Sequence, residues 1–117
     1  MSQSLINLNA LRAISRNNEY FVREVLDVFQ ANTPKDLDQL AGHIGEGRGE
    51  QVRYFAHKLK SSCFTIGFEK GYEFFKGIET AAEKQEQDRW QPLLESAQEV
   101  CAQALSEIRT LLNQPQM

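Results

Sequence analysis

Two histidines, His43 and His57, are the only imidazoles in the 117-residue chain. A neutral imidazole is a nucleophile or general base near pH 7. His57 has the more suggestive neighbours. On a helix, at ~100° per residue, Arg53, Lys60, Ser61 and Phe64 are its i−4, i+3, i+4 and i+7 positions. The five share one outward stripe, which also carries Glu50. On the other side, Val52, Phe55, Leu59, Ser62, Cys63 and Ile66 fall within about 100° of arc and form the expected core face. An outward imidazole beside ammonium groups suits phosphate chemistry, because a phosphoryl group attached to the ring carries negative charge that lysine can stabilise. Ser61 is small and leaves room for a partner to bring that group close. From Arg48 to Lys60, four basic residues stand against one acidic residue. The same pattern describes an ordinary solvated helix face, so the wheel alone leaves both readings open.

The other reactive side chains point elsewhere. His43 falls near the end of a helix, where the backbone dipole favours partial positive charge, and a structural role is expected. Neither histidine has a Glu three residues earlier, so the Glu-x-x-His pairs of di-iron bundles are absent. Cys63 and Cys101 project from core stripes, unlike a catalytic thiol in an exposed electropositive site. There is no phosphate-binding loop, dinucleotide fingerprint or kinase signature. A metal- or cofactor-binding bundle enzyme is therefore disfavoured.

Helical spacing dominates the chain, and Gly and Pro sit mostly where helices should end. A short first helix is expected from about Leu8 to Ser15, with Leu8, Leu11 and Ile14 in register and Asn7 as cap. Asn18 caps a second helix with the stripe Val22, Leu26, Phe29, Thr33, Leu37, Leu40 and Ile44. That stripe keeps phase through Pro34, although Thr33-Pro34-Lys35-Asp36 also looks like a new helix start. One rod, kinked or interrupted near Ala31 to Pro34, reconciles the two. A third helix is expected from about Gly49 to Ile66, closed by Gly67. A fourth spans about Phe68 to Lys84, with Phe68, Tyr72, Phe75, Ile78 and Ala82 inward. A solvated turn covers Glu83 to Asp88. The last helix covers about Trp90 to Asn113, and its seam is Trp90, Leu94, Ala97, Cys101, Ala104, Ile108 and Leu111. A frayed tail is expected over 114–117. The fold class is all-α: an antiparallel four-helix bundle capped by a short N-terminal helix.

Composition sets the outer limits. The length fits one domain, 1–117, with a core of its own. A balance of 13 basic against 16 acidic residues, net charge −3, gives no broad field for nucleic acid or an anionic membrane. No apolar run approaches the ~20 residues of a membrane span. Met1 to Ser15 shows no signal-peptide pattern, so a cytoplasmic location is expected.

The run Ala56-His57-Lys58-Leu59-Lys60-Ser61-Ser62-Cys63-Phe64-Thr65-Ile66-Gly67 resembles the signature of histidine-containing phosphotransfer (HPt) domains, A-H-x-L-K-G-S-S followed by three residues and Gly. The Ala, His, Leu, Lys, one Ser and the final Gly match in register. Ile78-Glu79 also looks like the family's Leu-Glu on the following helix. Length, helix order and a Pro-bearing second helix extend the resemblance over most of the chain.

The resemblance implies a monomeric phosphorelay carrier of two-component signalling, without kinase activity. His57 would accept a phosphoryl group at Nε2 from the aspartyl phosphate of a response-regulator receiver domain or hybrid sensor kinase, and pass it to another receiver. Lys60 would stabilise the phosphoryl group. Lys58, about 100° further round the helix, would contribute a weaker electrostatic effect. No cofactor is implied for this chain, since Mg²⁺ and an acidic pocket would come from the receiver. Arg53, Ser61 and Phe64 would face the docking partner. Ser61 departs from the family's usual Gly, and its hydroxyl could bond the phosphoryl group or the imidazole. Phe64 stands where a small residue is usual. It is either an apolar docking contact or a side chain folded onto the neighbouring helix. Tyr54 leans toward packing at the helix boundary. The rival reading is a helical interaction module, a degenerate HPt domain whose His57 stripe only binds.

Overall fold

The computed structural model describes residues 4–114. Five α-helices follow in order: α1 (Asn9–Ile14), α2 (Glu19–Gly45), α3 (Gly49–Thr65), α4 (Glu69–Glu83) and α5 (Trp90–Leu112), with a 3₁₀ turn at Gln87–Arg89 before α5. Among the described residues there is no strand. The short links after α2, α3 and α4 bring successive helices together as antiparallel neighbours. The result is the four-helix bundle expected from periodicity, about as long as its longest helix, at 48 × 27 × 23 Å. α3 and α4 share the most extensive packing of any pair.

Local chemistry accounts for the helix ends. The Asn18 side chain accepts a hydrogen bond from the Phe21 N–H at 3.1 Å, satisfying one of the free donors at the start of α2. Asn7 acts two residues earlier than α1 itself, accepting from the Asn9 N–H at 3.0 Å. α2 runs through Pro34 without interruption. Proline removes one backbone donor, but Phe29, Thr33, Leu37 and Leu40 around it are all buried, and that continuous apolar face outweighs the local start signal. The single rod holds, and of the two alternatives, kinked or interrupted, the interruption does not occur.

Gly67 closes α3 at φ +66°, where the Phe68 N–H reaches back to the Cys63 carbonyl at 2.9 Å. A second constraint acts there. The chain before α1 crosses this turn, and a Cβ on Gly67 would lie 2.0 Å from the Asn7 carbonyl oxygen. The crossing segment buries Ile6 and Leu8 and is tied to α5, where Glu107 accepts from the Leu5 N–H at 2.7 Å and from the Ser4 hydroxyl.

The core differs from the expected faces in detail. On α3, Ala56 is fully buried, while Phe55 and Ser62, placed in the core by the wheel, are only half-buried on the flank toward α2. Tyr72 and Leu111 are likewise half-buried, and Ile14 of α1 is exposed. Cys63 and Cys101 are buried and free, and burial pushes the Cys101 thiol up to about 12. Of the tail expected to fray over 114–117, residues 115–117 lie outside the described residues. Among the described residues, no helix is long and apolar enough to cross a membrane.

Candidate functional site

The middle of α3 carries His57 on the side away from the buried Val52, Ala56, Leu59 and Cys63. The imidazole side chain is 58% exposed. Its Nδ1 lies 2.7 Å from Oε2 of Glu79, on the facing side of α4. Oε1 of the same carboxylate lies 2.6 Å from Nζ of Lys60. Glu79 therefore joins the two α3 residues three positions apart, each through its own oxygen.

The electrostatics set the tautomer. The Glu79 side chain is only 10% exposed. Burial would raise its pKa, but hydrogen bonds from Lys60 and His57 more than offset that and hold the carboxyl below its usual range. An ionised carboxylate only accepts, so Nδ1 of His57 must carry the proton it shares with Glu79. The lone pair is then left on Nε2, the nitrogen of this largely exposed side chain that is not paired with Glu79. Lys60 is largely covered, and its hydrogen bond to Glu79 raises the ammonium above its ordinary value against the opposing effect of burial.

The other expected site residues spread around this centre. Lys58 leaves the helix on the opposite flank and pairs with Asp36 of α2 at 3.1 Å. Arg53 and Ser61 are exposed on the His57 stripe. Among the described residues the Ser61 hydroxyl makes no hydrogen bond to the imidazole, while its backbone carbonyl accepts from Thr65 Oγ1 at 3.1 Å. Phe64 is 75% exposed and touches the Tyr72 ring, with centroids 6.0 Å apart. It is not a core residue. Tyr54 is exposed and meets only the edge of the adjacent Phe55 ring, with centroids 5.1 Å apart.

Two carboxylates escaped the reading of α3 alone. Asp36 and Glu79 are both buried, and they neutralise Lys58 and Lys60 respectively. The positive patch counted along α3 is consequently smaller than its basic residues suggest. Each carboxylate had a signal in its own helix. Asp36 follows Thr33 by three positions, and Glu79 follows Phe75 by four, so both fall in phase with a buried stripe.

Residues 24–114, most of the chain, match the family model of the Hpt domain. The chain belongs to the Hpt domain family. Hpt domains are phosphocarriers in histidine phosphotransfer relays, and their partners are receiver domains and hybrid kinases. Two solved structures share the fold. Histidine-containing phosphotransfer protein B from Pseudomonas aeruginosa PAO1 superposes with a TM-score of 0.89 at 19% identity, covering 98% of this chain and 100% of that one. The HPT domain of an Hpt sensor hybrid histidine kinase from Shewanella superposes with a TM-score of 0.83 at 15% identity, covering 97% of each chain. No curated protein matches the sequence. The Hpt match encloses α3 and α4, and with them His57, Lys60 and Glu79.

Proposed function

We propose that this Hpt domain carries a phosphoryl group on Nε2 of His57, taking it from the aspartyl phosphate of one receiver domain and delivering it to the aspartate of another. The supporting observation is the 2.7 Å contact between Nδ1 and the buried Glu79 carboxylate, which leaves the Nε2 lone pair available at the surface. In the forward step that lone pair attacks phosphorus in line. The N–P bond forms, the P–O bond to the receiver's aspartyl oxygen breaks, and the aspartate leaves as a carboxylate. The ring keeps its Nδ1 proton and becomes a phosphoimidazolium, whose positive charge faces Glu79. Attack by the second receiver's carboxylate reverses these changes.

Lys60 stands beside the reacting ring and stabilises the transferring oxygens. Arg53, Ser61 and Phe64 form the docking face, with the exposed Phe64 ring as its apolar contact. The chain acts as a monomer and supplies no kinase step, and Mg²⁺ belongs to the receiver. Weak, fast-exchanging docking suits a carrier that must release one partner before meeting the next.

The test is transfer from a receiver domain charged with acetyl phosphate. The wild-type chain and His43→Gln should both acquire an acid-labile, base-stable label, and His57→Gln none. Label on His57→Gln would refute the assignment. A stable complex with no transfer to the wild-type chain would favour the binding-only module.

A further inference from the structure

The Asp36–Lys58 pair lies outside the Glu79 network, on the other flank of His57. Asp36 sits on the α2 face that packs against α3 and is 8% exposed. Among the described residues its carboxylate has one hydrogen-bond partner, Lys58 Nζ at 3.1 Å. The lysine's end is held by a second contact as well. Its ammonium lies 5.9 Å from the centroid of the Phe55 ring, and that ring is stacked on His43 at 5.3 Å. Even so, the Lys58 side chain remains 48% exposed. An ammonium has three N–H donors, so donors remain for a partner after Asp36 has taken one.

A free surface lysine is a flexible point charge that loses rotamer freedom when it docks. Lys58 has given up much of that freedom in advance, and it is the residue next to the nucleophile. Asp36 also cancels most of the long-range field of the ammonium. The pair thus provides orientation at short range and little steering at long range.

We infer that Asp36 is a positioning residue, holding Lys58 as a pre-oriented donor that fixes a docked receiver domain beside His57. This rests on the reading of His57 as phosphoacceptor. Positioning and charge make opposite demands on one substitution. Asp36→Asn leaves the surface one unit more positive, so charge alone gives faster capture of an acidic receiver pocket. Loss of positioning gives weaker docking.

The experiment measures transfer rate against concentration of an acetyl-phosphate-charged receiver, for the wild-type chain, Asp36→Asn, Lys58→Met and the double variant. Asp36→Asn should raise the apparent KM about two- to tenfold, as expected for one side chain that must be ordered on docking, at an unchanged saturating rate. Lys58→Met should raise it at least as much. The double variant should be no worse than Lys58→Met, because Asp36 acts only through Lys58. An unchanged or lower KM for Asp36→Asn, or multiplying effects in the double variant, would overturn the proposal. Should Asp36→Asn lose its helical circular-dichroism signal, Lys58→Met decides, and an unchanged KM there overturns it. Failure of the wild-type chain to accept phosphoryl from any receiver would remove the His57 reading and this one together. Normal wild-type transfer with an unmoved Asp36→Asn KM removes only this one.

Discussion

His43 and His57 are both helical histidines engaged through Nδ1, yet they are set for opposite uses. At His43 the partner of Nδ1 is Nε of Arg48, at 2.9 Å. A guanidinium only donates, so the Nδ1 lone pair is consumed and the proton sits on Nε2. The ring also lies stacked on Phe55. At His57 the partner is a carboxylate, which only accepts, so the proton sits on Nδ1 and Nε2 keeps its lone pair. Exposure alone does not make the difference. The sign of the group paired with Nδ1 decides which nitrogen can attack, and only at His57 does it leave the Nε2 lone pair unused.

Three substitutions probe that contrast, in order of expected effect. Lys60→Ala removes a charge-assisted contact to the transferring group and should slow transfer about 10- to 100-fold with the fold retained, as read by rapid-quench labelling. Equal rates would take Lys60 out of the chemistry. Glu79→Gln keeps an oxygen able to accept from Nδ1 but loses the charge facing the phosphoimidazolium. A smaller fall, about tenfold, is expected in the same assay. An unchanged rate would mean that the tautomer is set without the carboxylate. Phe64→Ala leaves the chemistry alone and should weaken receiver binding about fivefold by titration, without loss of stability, since the ring is exposed. A large drop in melting temperature would return Phe64 to a packing role.

Acid titration gives a smaller and independent effect. The Glu79 carboxyl is held below its ordinary range in the folded chain. Its contribution to stability is complete above the unfolded value, near ~4.3, and is lost as pH falls through the lower folded value. Lys60 behaves conversely, because its folded value is raised: its contribution is complete below ~10.4 and fades as pH rises through the folded value. Thermal melts between pH 7 and pH 3 should therefore show the wild-type chain losing stability relative to Glu79→Gln. A constant difference across that range would contradict the ionised Glu79.

Much of this arrangement was legible in the residues themselves. Helix order, the Asn18 cap, the Gly67 stop and the outward stripe of His57 follow from spacing and local chemistry, because each depends on neighbours within one or two turns. Pro34 shows where local chemistry misleads. Its helix-start signal spans four residues, whereas the stripe that holds α2 together spans the whole helix. The partners of the basic residues were harder to see. A wheel drawn for α3 shows Lys58 and Lys60 as free charges, since Asp36 and Glu79 approach from other helices about 20 positions away in sequence. A one-helix wheel also blurs flank and core, which is why Ala56 replaces Phe55 and Ser62 in the interior.

The most direct test of the central claim is nitrogen and phosphorus NMR on the histidine-labelled chain, before and after charging by a receiver. The account requires His57 to hold its proton on Nδ1 throughout, and phosphorus coupling to appear on its Nε2. Phosphorus on Nδ1 of His57, or on either nitrogen of His43, would contradict it.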